Sequence, residues 1–233
     1  FNVLNYFTTL GQDVAGCSAY RDRAGNPVTT NGCLPRGAYT SEAFARQQEK
    51  IAAAINGLGT SVVALEEIEN SEKFGLDRDH ALAHLVEALN AQAGEQRWAY
   101  VASPTARPAL ADEDVIRSAF IYQPAEVTPV GESVILDDQT NFDNAREPMA
   151  QLFRAADGTS EGAAGTDFVA ITNHFKSKGG SGATGDNVDA GDGQGAYNAD
   201  RVGQAEALVA FAERMKAETG TDRVLLMGRL QRL

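Results

Sequence analysis

The sequence has few of the residues that metal-cluster, membrane-spanning or nucleic-acid-coating proteins need. Its 233 residues include two cysteines, one tryptophan and three histidines. A zinc cluster built from about four Cys or His ligands is therefore not expected. No apolar run approaches the roughly 18–20 residues that span a bilayer. Lys and Arg number 20 against 32 Asp and Glu, for a net charge of −12. This balance argues against a protein that coats nucleic acid by charge alone.

What the chain does contain is the composition of a globular domain. Hydrophobic residues make up 43% of it and charged residues 22%, which suits a packed core. We find neither an internal repeat nor an interdomain linker, so we expect residues 1–233 to form one domain. The chain begins with Phe1 instead of Met, so we expect a processed protein or a fragment whose targeting signal is missing.

Hydrophobic periodicity predicts helices at 41–57, 77–93 and about 197–218, with loops at 8–39 and 176–195. Ser41 is the expected cap of the first helix. The third helix is expected to bury Val202, Ala205, Leu208, Val209 and Phe211. Short apolar runs predict strands at 1–7, 61–66, 98–101, 116–122, 127–136, 149–153, 168–172 and 223–227. Because strands and helices do not alternate regularly, the pattern favours an α+β or layered architecture over a Rossmann fold or a barrel.

Both cysteines, Cys17 and Cys33, lie in one Gly- and Asn-rich stretch. An even pair within a single loop favours a disulfide, which forms in an oxidising compartment. Two free thiols are the alternative.

The first chemical motif is an acidic cluster, Glu66-Glu67-Ile68-Glu69-Asn70, at the end of an apolar run. Strand ends are where sheets present functional groups, and Mg²⁺ takes a few carboxylates together with water and phosphate oxygens. The cluster is therefore a candidate magnesium site, and a solvated acidic loop is the alternative.

Two further motifs suit a phosphate. His174 follows a predicted strand and is flanked by Asn173, Lys176 and Lys178. His can act as a general acid or base, and Lys can neutralise phosphate. Arg146, in the segment Ala-Arg-Glu-Pro, can bind phosphate through two hydrogen bonds. A surface histidine and a surface ion pair are the alternatives.

These motifs, taken in order, resemble the endonuclease/exonuclease/phosphatase superfamily, and more closely its secreted bacterial extracellular nucleases. The segments that carry the resemblance are FNVLNYF at 1–7, RGA at 36–38, VVALEEIEN at 62–70, RSAFIYQPAEVTPVG at 117–131, AREP at 145–148, ITNHFKSKGG at 171–180 and DGQGAYNADR at 192–201. The resemblance implies a deoxyribonuclease-I-like α+β fold, a four-layer α/β/β/α sandwich that is incomplete at its C-terminus.

The resemblance also implies roles for individual residues. Glu67 and Asn2 would form the metal site, with Mg²⁺ expected and Mn²⁺ or Ca²⁺ as alternatives. His174 would be the catalytic histidine, with Asn173 beside it. The residues expected to contact substrate are Arg146, Lys176, Lys178, Asn198 and Arg201.

The implied activity is hydrolysis of phosphodiester bonds in nucleic acid, with DNA the first expectation, by a protein secreted from a bacterium. No membrane span and no obligate protein partner are expected. A phosphatase or phospholipid diesterase of the same fold is one alternative. A remnant that binds nucleic acid without cleaving it is another.

The match to the family ends after Gly228. The family continues with an Asp-x-Asn motif, whereas this chain reads Arg-Leu-Gln-Arg-Leu at 229–233. Shifting the reading frame by one base can convert a permitted codon choice for these residues into Asp-Phe-Asn-Ala. We therefore hypothesise a frameshift, and expect a truncated chain with exposed apolar surface and impaired activity. An unrelated tail is the alternative.

Overall fold

A computed structural model describes residues 1–159 and 162–230. They form ten strands and three α-helices. The strands are β1 (Asn2–Tyr6), β2 (Ser18–Arg21), β3 (Pro27–Asn31), β4 (Val62–Glu69), β5 (Ala99–Tyr100), β6 (Ile116–Tyr122), β7 (Val127–Ile135), β8 (Arg146–Ala155), β9 (Phe168–His174) and β10 (Val224–Arg229). The helices are α1 (Ser41–Asn56), α2 (His80–Ala93) and α3 (Asn198–Thr219). The predicted α+β class is confirmed.

Two four-stranded sheets face each other. The first has the order β1-β4-β6-β5 and the second β10-β9-β8-β7. In each sheet one outer strand, β1 or β10, runs parallel to its neighbour, and the other pairs are antiparallel. The carboxyl ends of β1, β4, β9 and β10 can therefore present residues at one end of the molecule.

Three clusters of buried side chains give four layers. In β4, Val63 and Leu65 pack against α1 and α2, whereas Ala64 packs against the second sheet. In β9, Val169 and Ile171 pack against α3, whereas Ala170 faces the first sheet. Because side chains alternate along a strand, each sheet buries both of its faces. The order is helices, sheet, sheet, helix.

Local signals explain the helix ends, with two corrections. Thr40, instead of the expected Ser41, caps α1, since its side chain accepts a hydrogen bond from the Ala43 backbone N–H. Helix α3 buries Leu208 and Phe211 as predicted. Val202 and Val209 are exposed, so the prediction that they face inward is wrong. The face of α3 that packs against the sheet is therefore narrower than the spacing of its apolar residues predicted.

The segment predicted as loop at 8–39 contains the β2–β3 hairpin, so that prediction is wrong in part. Short strands rich in Thr, Asn and Ser lack the apolar alternation that reveals a strand. The expected Cys17–Cys33 disulfide is present, with the two Cα atoms 5.1 Å apart. It joins the residue before β2 to the loop after β3 and so closes the open end of the hairpin.

Strand β10 lies at the edge of the second sheet and exposes Leu225 and Leu226. The expected apolar surface is therefore present on this strand. The frameshift hypothesis concerns residues 229–233, of which 231–233 lie outside the described residues. Among the described residues, none of the helices has both the length and the apolar character that a membrane crossing requires.

Candidate active site

An irregularity in β4 brings two consecutive carboxylates to one place. Between Leu65 and Ile68 the strand holds one residue more than its partner β6, which is a β-bulge. Glu67 within it has a left-handed φ of 67°. In a regular strand Glu66 and Glu67 would point to opposite faces. Here an oxygen of each lies 4.0 Å from Nε2 of His174.

Strand β1 holds the carboxylate of Glu67. Asn2 donates from Nδ2 to Oε1 over 2.6 Å, and the Asn5 backbone N–H donates to Oε2 over 3.1 Å. Asn5 and its neighbour Leu4 have left-handed φ values of 53° and 55°. Such conformations are unfavourable for residues other than glycine and persist where the surrounding structure imposes them. The acidic end of the site is therefore built on strained backbone.

The basic end comes from three neighbouring strands of the second sheet. Arg146 of β8 and Arg229 of β10 are both register partners of His174 in β9. Between Arg146 and Met149 the β8 strand also carries one extra residue, and Pro148, which has no N–H to donate, lies there. This bulge turns Arg146 to the face between the sheets that His174 occupies.

His174 is buried and its pKa is strongly lowered. Burial is the largest cause, and the positive charges of Arg146 and Arg229 add to it, so that the pKa falls to about 3. The imidazole is consequently neutral at pH 7, and its 4.0 Å contacts with Glu66 and Glu67 are not ion pairs. Burial also raises the pKa of Glu66.

Three side chains around this cluster have buried polar atoms without a hydrogen-bond partner among the described residues. They are Nδ1 of His174, Oδ1 of Asn173 and Nε of Arg146. Buried polar atoms are nearly always paired, and exceptions call for a reason such as a ligand or a water. The opposite side of Asn173 is satisfied, since Nδ2 donates to the Met227 carbonyl over 2.6 Å.

The other predicted substrate contacts lie on the loop after β9. The ammonium of Lys176 lies 4.4 Å from the centre of the Tyr197 ring, and that of Lys178 is 3.5 Å from the Gly193 carbonyl. Asn198 begins α3 and accepts a hydrogen bond from Arg201 over 3.3 Å. All of these contacts are internal to the loop and to α3.

Arg201 requires a correction. It is fully buried, and its guanidinium donates to the carbonyls of Ala196 and Gln194 over 2.6 and 2.8 Å. A phosphate cannot reach it in this structure, so the expected substrate contact at Arg201 is wrong. Its position assigns it to holding the loop on α3.

Sequence reasoning missed two charged residues next to Arg146. Asp114 accepts two hydrogen bonds from Arg36 and lies 3.7 Å from Nη1 of Arg146. The segment Arg36-Gly37-Ala38 had contributed only to the family resemblance, and Asp114 lies in a loop without a recognisable motif. Only the tertiary contact with Arg146 identifies them.

The donor set at the acidic end is compatible with a hard cation. Glu67 and Glu66 supply carboxylate oxygens. Asn2 holds Glu67 through Nδ2, while its amide oxygen accepts a hydrogen bond from the Leu4 backbone N–H over 2.7 Å. The described residues contain no group of three or more His, Cys, Asp or Glu side chains that could hold a metal. Mg²⁺ is commonly bound by one or two carboxylates, with water and phosphate oxygens completing its shell. The residues therefore fit Mg²⁺ and do not fit a zinc-type site.

No model of a known protein family matches the chain, and no curated protein matches it. Several solved structures do match the chain. An endonuclease/exonuclease/phosphatase family protein from Bacteroides thetaiotaomicron is 14% identical, with a TM-score of 0.47 over 80% of this chain and 54% of that chain. The human Nocturnin catalytic domain with bound sulfate is 14% identical, with a TM-score of 0.48 over 81% and 58%. TDP2 from D. rerio, complexed with a single-strand DNA product, is 13% identical, with a TM-score of 0.45 over 81% and 55%.

The chain thus spans 54% to 58% of the length of these three proteins. It is similar to them in structure, and its function is argued from its own residues.

Proposed function

We propose that this chain is a metal-dependent phosphodiester hydrolase of the endonuclease/exonuclease/phosphatase type, acting on nucleic acid as an extracellular nuclease, with DNA the first expected substrate. The observation that carries the proposal is the meeting of Glu66, Glu67, His174 and Arg146 between the two sheets. Carboxylates, a neutral imidazole and a guanidinium are the groups that phosphodiester hydrolysis uses.

Each group has a task that its surroundings support. In the hydrolysis a water oxygen bonds to phosphorus, one ester P–O bond breaks, and a proton ends on the leaving oxygen. Arg146 binds a non-bridging phosphate oxygen through its guanidinium, whose buried Nε lacks a partner. His174, neutral at pH 7, can donate one hydrogen bond and accept another. It orients the phosphate or the water, and an approaching phosphate anion raises its pKa.

The metal belongs at the acidic end. Glu67 would hold Mg²⁺, with Asn2 beside it and Glu66 as the neighbouring carboxylate. A bound Mg²⁺ supplies charge stabilisation at the phosphate. Asn2 and the Asn5 N–H fix the Glu67 carboxylate in advance, so its orientation does not depend on substrate.

The disulfide supports the extracellular part of the proposal. Disulfides persist in oxidising environments and are rare in reducing ones. Cys17 and Cys33 form one at the open end of the β2–β3 hairpin.

A second candidate is a module that binds nucleic acid without cleaving it. The observation that favours it is Arg229, which is the register partner of His174 and helps to lower its pKa. A guanidinium at this point adds affinity for a phosphate anion, and it also repels a cation near Glu66.

One assay separates the two candidates. The purified chain is mixed with plasmid DNA, RNA or bis(p-nitrophenyl) phosphate, in Mg²⁺ or in EDTA. We expect weak cleavage that requires Mg²⁺, and a loss of roughly 100-fold or more in Glu67→Gln and His174→Asn relative to the unsubstituted chain. The matched controls are Glu95→Gln and His80→Asn, which alter exposed residues outside the site. Binding of DNA without turnover in Mg²⁺, Mn²⁺ or Ca²⁺ would establish the second candidate instead.

A further inference from the structure

We propose that Arg36 is a second phosphate-binding residue of this site, and that it selects a polymeric phosphodiester over a small phosphate ester. The inference rests on the proposed function and adds a substrate class to it. It assigns a task to the Arg-Gly pair at 36–37, which the contacts of the catalytic cluster leave unexplained.

The loop that carries Arg36 is pinned against the acidic end of the site. A side chain at Gly37 would place its Cβ 2.5 Å from Cβ of Phe7 and 2.9 Å from the Asn5 carbonyl, so only glycine fits there. The Gly37 carbonyl accepts a hydrogen bond from the Thr30 N–H over 2.9 Å. The disulfide at Cys33 anchors the same loop three residues earlier. Arg36 is therefore held at the edge of the site by the fold.

Arg36 and Arg146 share one carboxylate. Arg36 donates from Nη2 to Oδ1 of Asp114 over 2.7 Å and from Nη1 to Oδ2 over 3.1 Å. The same Oδ2 lies 3.7 Å from Nη1 of Arg146. The Val115 backbone N–H also donates to Oδ1, which fixes the carboxylate. Two guanidinium groups thus share the single carboxylate of Asp114, so Asp114 alone does not neutralise both of them.

The two arginine side chains differ in exposure. Such a difference is expected if one contacts a phosphate inside the site and the other contacts the next phosphate outside it. The side chain of Arg146 is 14% exposed and lies beside His174, whereas that of Arg36 is 46% exposed at the outer edge. The buried guanidinium meets the phosphate at which hydrolysis occurs. The outer one meets a phosphate further along the same strand. A surface ion pair formed for stability alone would contribute little, and would not need a carboxylate shared with a residue of the site.

The test measures how binding of a fluorescein-labelled DNA single strand of about 12 nucleotides depends on salt, in EDTA, between about 50 and 200 mM. Losing one phosphate contact lowers the slope of log K against log salt by about 0.7. We expect this reduction in Arg36→Gln. Arg36→Lys keeps the charge and the slope. Arg23→Gln, which removes an exposed arginine in the β2–β3 turn, is the matched control and leaves the slope unchanged.

Cleavage supplies a second measurement. Arg36→Gln should lower kcat/KM on the oligonucleotide by about tenfold, the loss of one charge-assisted hydrogen-bonded contact. Its kcat/KM on bis(p-nitrophenyl) phosphate should fall much less than on the oligonucleotide, since that ester has no second phosphate. Thermal melting of each variant shows that it is folded.

Two outcomes would overturn the inference. One is an unchanged salt slope in Arg36→Gln. The other is an equal loss on the oligonucleotide and the small ester, which would mean that Arg36 only supports Arg146. Failure of the proposed function is distinguishable, because a wild-type chain that cleaves neither substrate still reports on Arg36 through the salt slope of binding.

Discussion

The two ends of the site are built from opposite sheets by the same device, but with different backbone strain. Strand β4 and strand β8 each carry one extra residue, which turns Glu67 and Arg146 into the space between the sheets. At the acidic end the bulge needs left-handed backbone at Glu67, supported by left-handed Leu4 and Asn5 in β1. At the basic end, no residue of β7–β10 other than glycine has a positive φ.

The difference shows which end depends more on its surroundings. Arg146, His174 and Arg229 are carried on strands whose ladders hold them in register. Glu67 is held by Asn2 and Asn5 against a local conformational preference. At the acidic end, the strained backbone around Glu67 is expected to lower the free energy of unfolding. At the basic end, the main loss of stability is expected from burying the charged arginine and the neutral His174.

The largest expected effect comes from Glu67→Gly. Glycine adopts the left-handed backbone without penalty, so the release of about 1 kcal/mol of strain offsets part of the loss of the two hydrogen bonds, which contribute about 1.5 kcal/mol each. We expect activity to fall by at least about 100-fold while the free energy of unfolding falls by only about 2 kcal/mol. Kinetics and urea denaturation measure the two quantities.

Glu66→Gly is the matched control for that variant, because Glu66 is buried on the same bulge without a positive φ. It should destabilise the protein more than Glu67→Gly does. Equal destabilisation by the two variants would contradict the claim that strain is concentrated at Glu67.

Gly37→Ala tests the packing behind the acidic end. The new Cβ would lie 2.5 Å from that of Phe7, and such overpacking costs about 1–3 kcal/mol. Because the Asn5 carbonyl is also too close, the variant should displace Asn5 and weaken activity. Gly180→Ala is the control, since its Cβ would meet Ala196 at an ordinary 3.6 Å. Equal melting temperatures for the two variants would be evidence against the close approach.

The basic end should make the free energy of unfolding depend on pH through His174. The folded pKa of His174, about 3, lies below its ordinary value of 6.5, so below about pH 6.5 the unfolded chain binds a proton that the folded chain does not. His174 therefore lowers stability progressively between pH 6.5 and 3, with a slope of at most about 1.4 kcal/mol per pH unit.

Urea denaturation across this pH range should show that slope reduced in His174→Asn. His80→Asn, at an exposed histidine, should keep the wild-type slope. If His174→Asn also keeps it, the histidine is not held neutral by burial and by its arginine neighbours.

The smallest expected effect is at Leu4, which has a φ of 55° and a side chain that is 71% exposed. Leu4→Gly removes the strain and loses little buried apolar area, because the side chain is mostly exposed. We therefore expect the free energy of unfolding to rise by about 0.5 kcal/mol, after glycine's own entropic cost. Leu58→Gly, at an exposed leucine with ordinary backbone, should lose stability. A loss in both variants would mean that β1 is not strained.

Much of the fold could be predicted from the sequence, because a long stretch with a regular apolar period can bury its apolar side chains in only one type of secondary structure. Hydrophobic periodicity predicted a helix at 77–93, and α2 buries Leu82, Leu85, Val86 and Leu89. The β2–β3 hairpin was missed because its strands lack apolar alternation. Val202 and Val209 were misplaced because an apolar residue on a helix has no need to face the core.

For the site, the sequence by itself determined the chemical types and their order: two adjacent carboxylates, an arginine before a strand, and a histidine at a strand end. Only the tertiary structure decided that Glu66 and Glu67 both face His174, since a bulge reverses the alternation that a sequence pattern assumes. It also decided that Arg201 is buried and that Arg36 and Arg146 share Asp114. Register, bulges and contacts between distant loops depend on how sheets pack, and local sequence does not encode them.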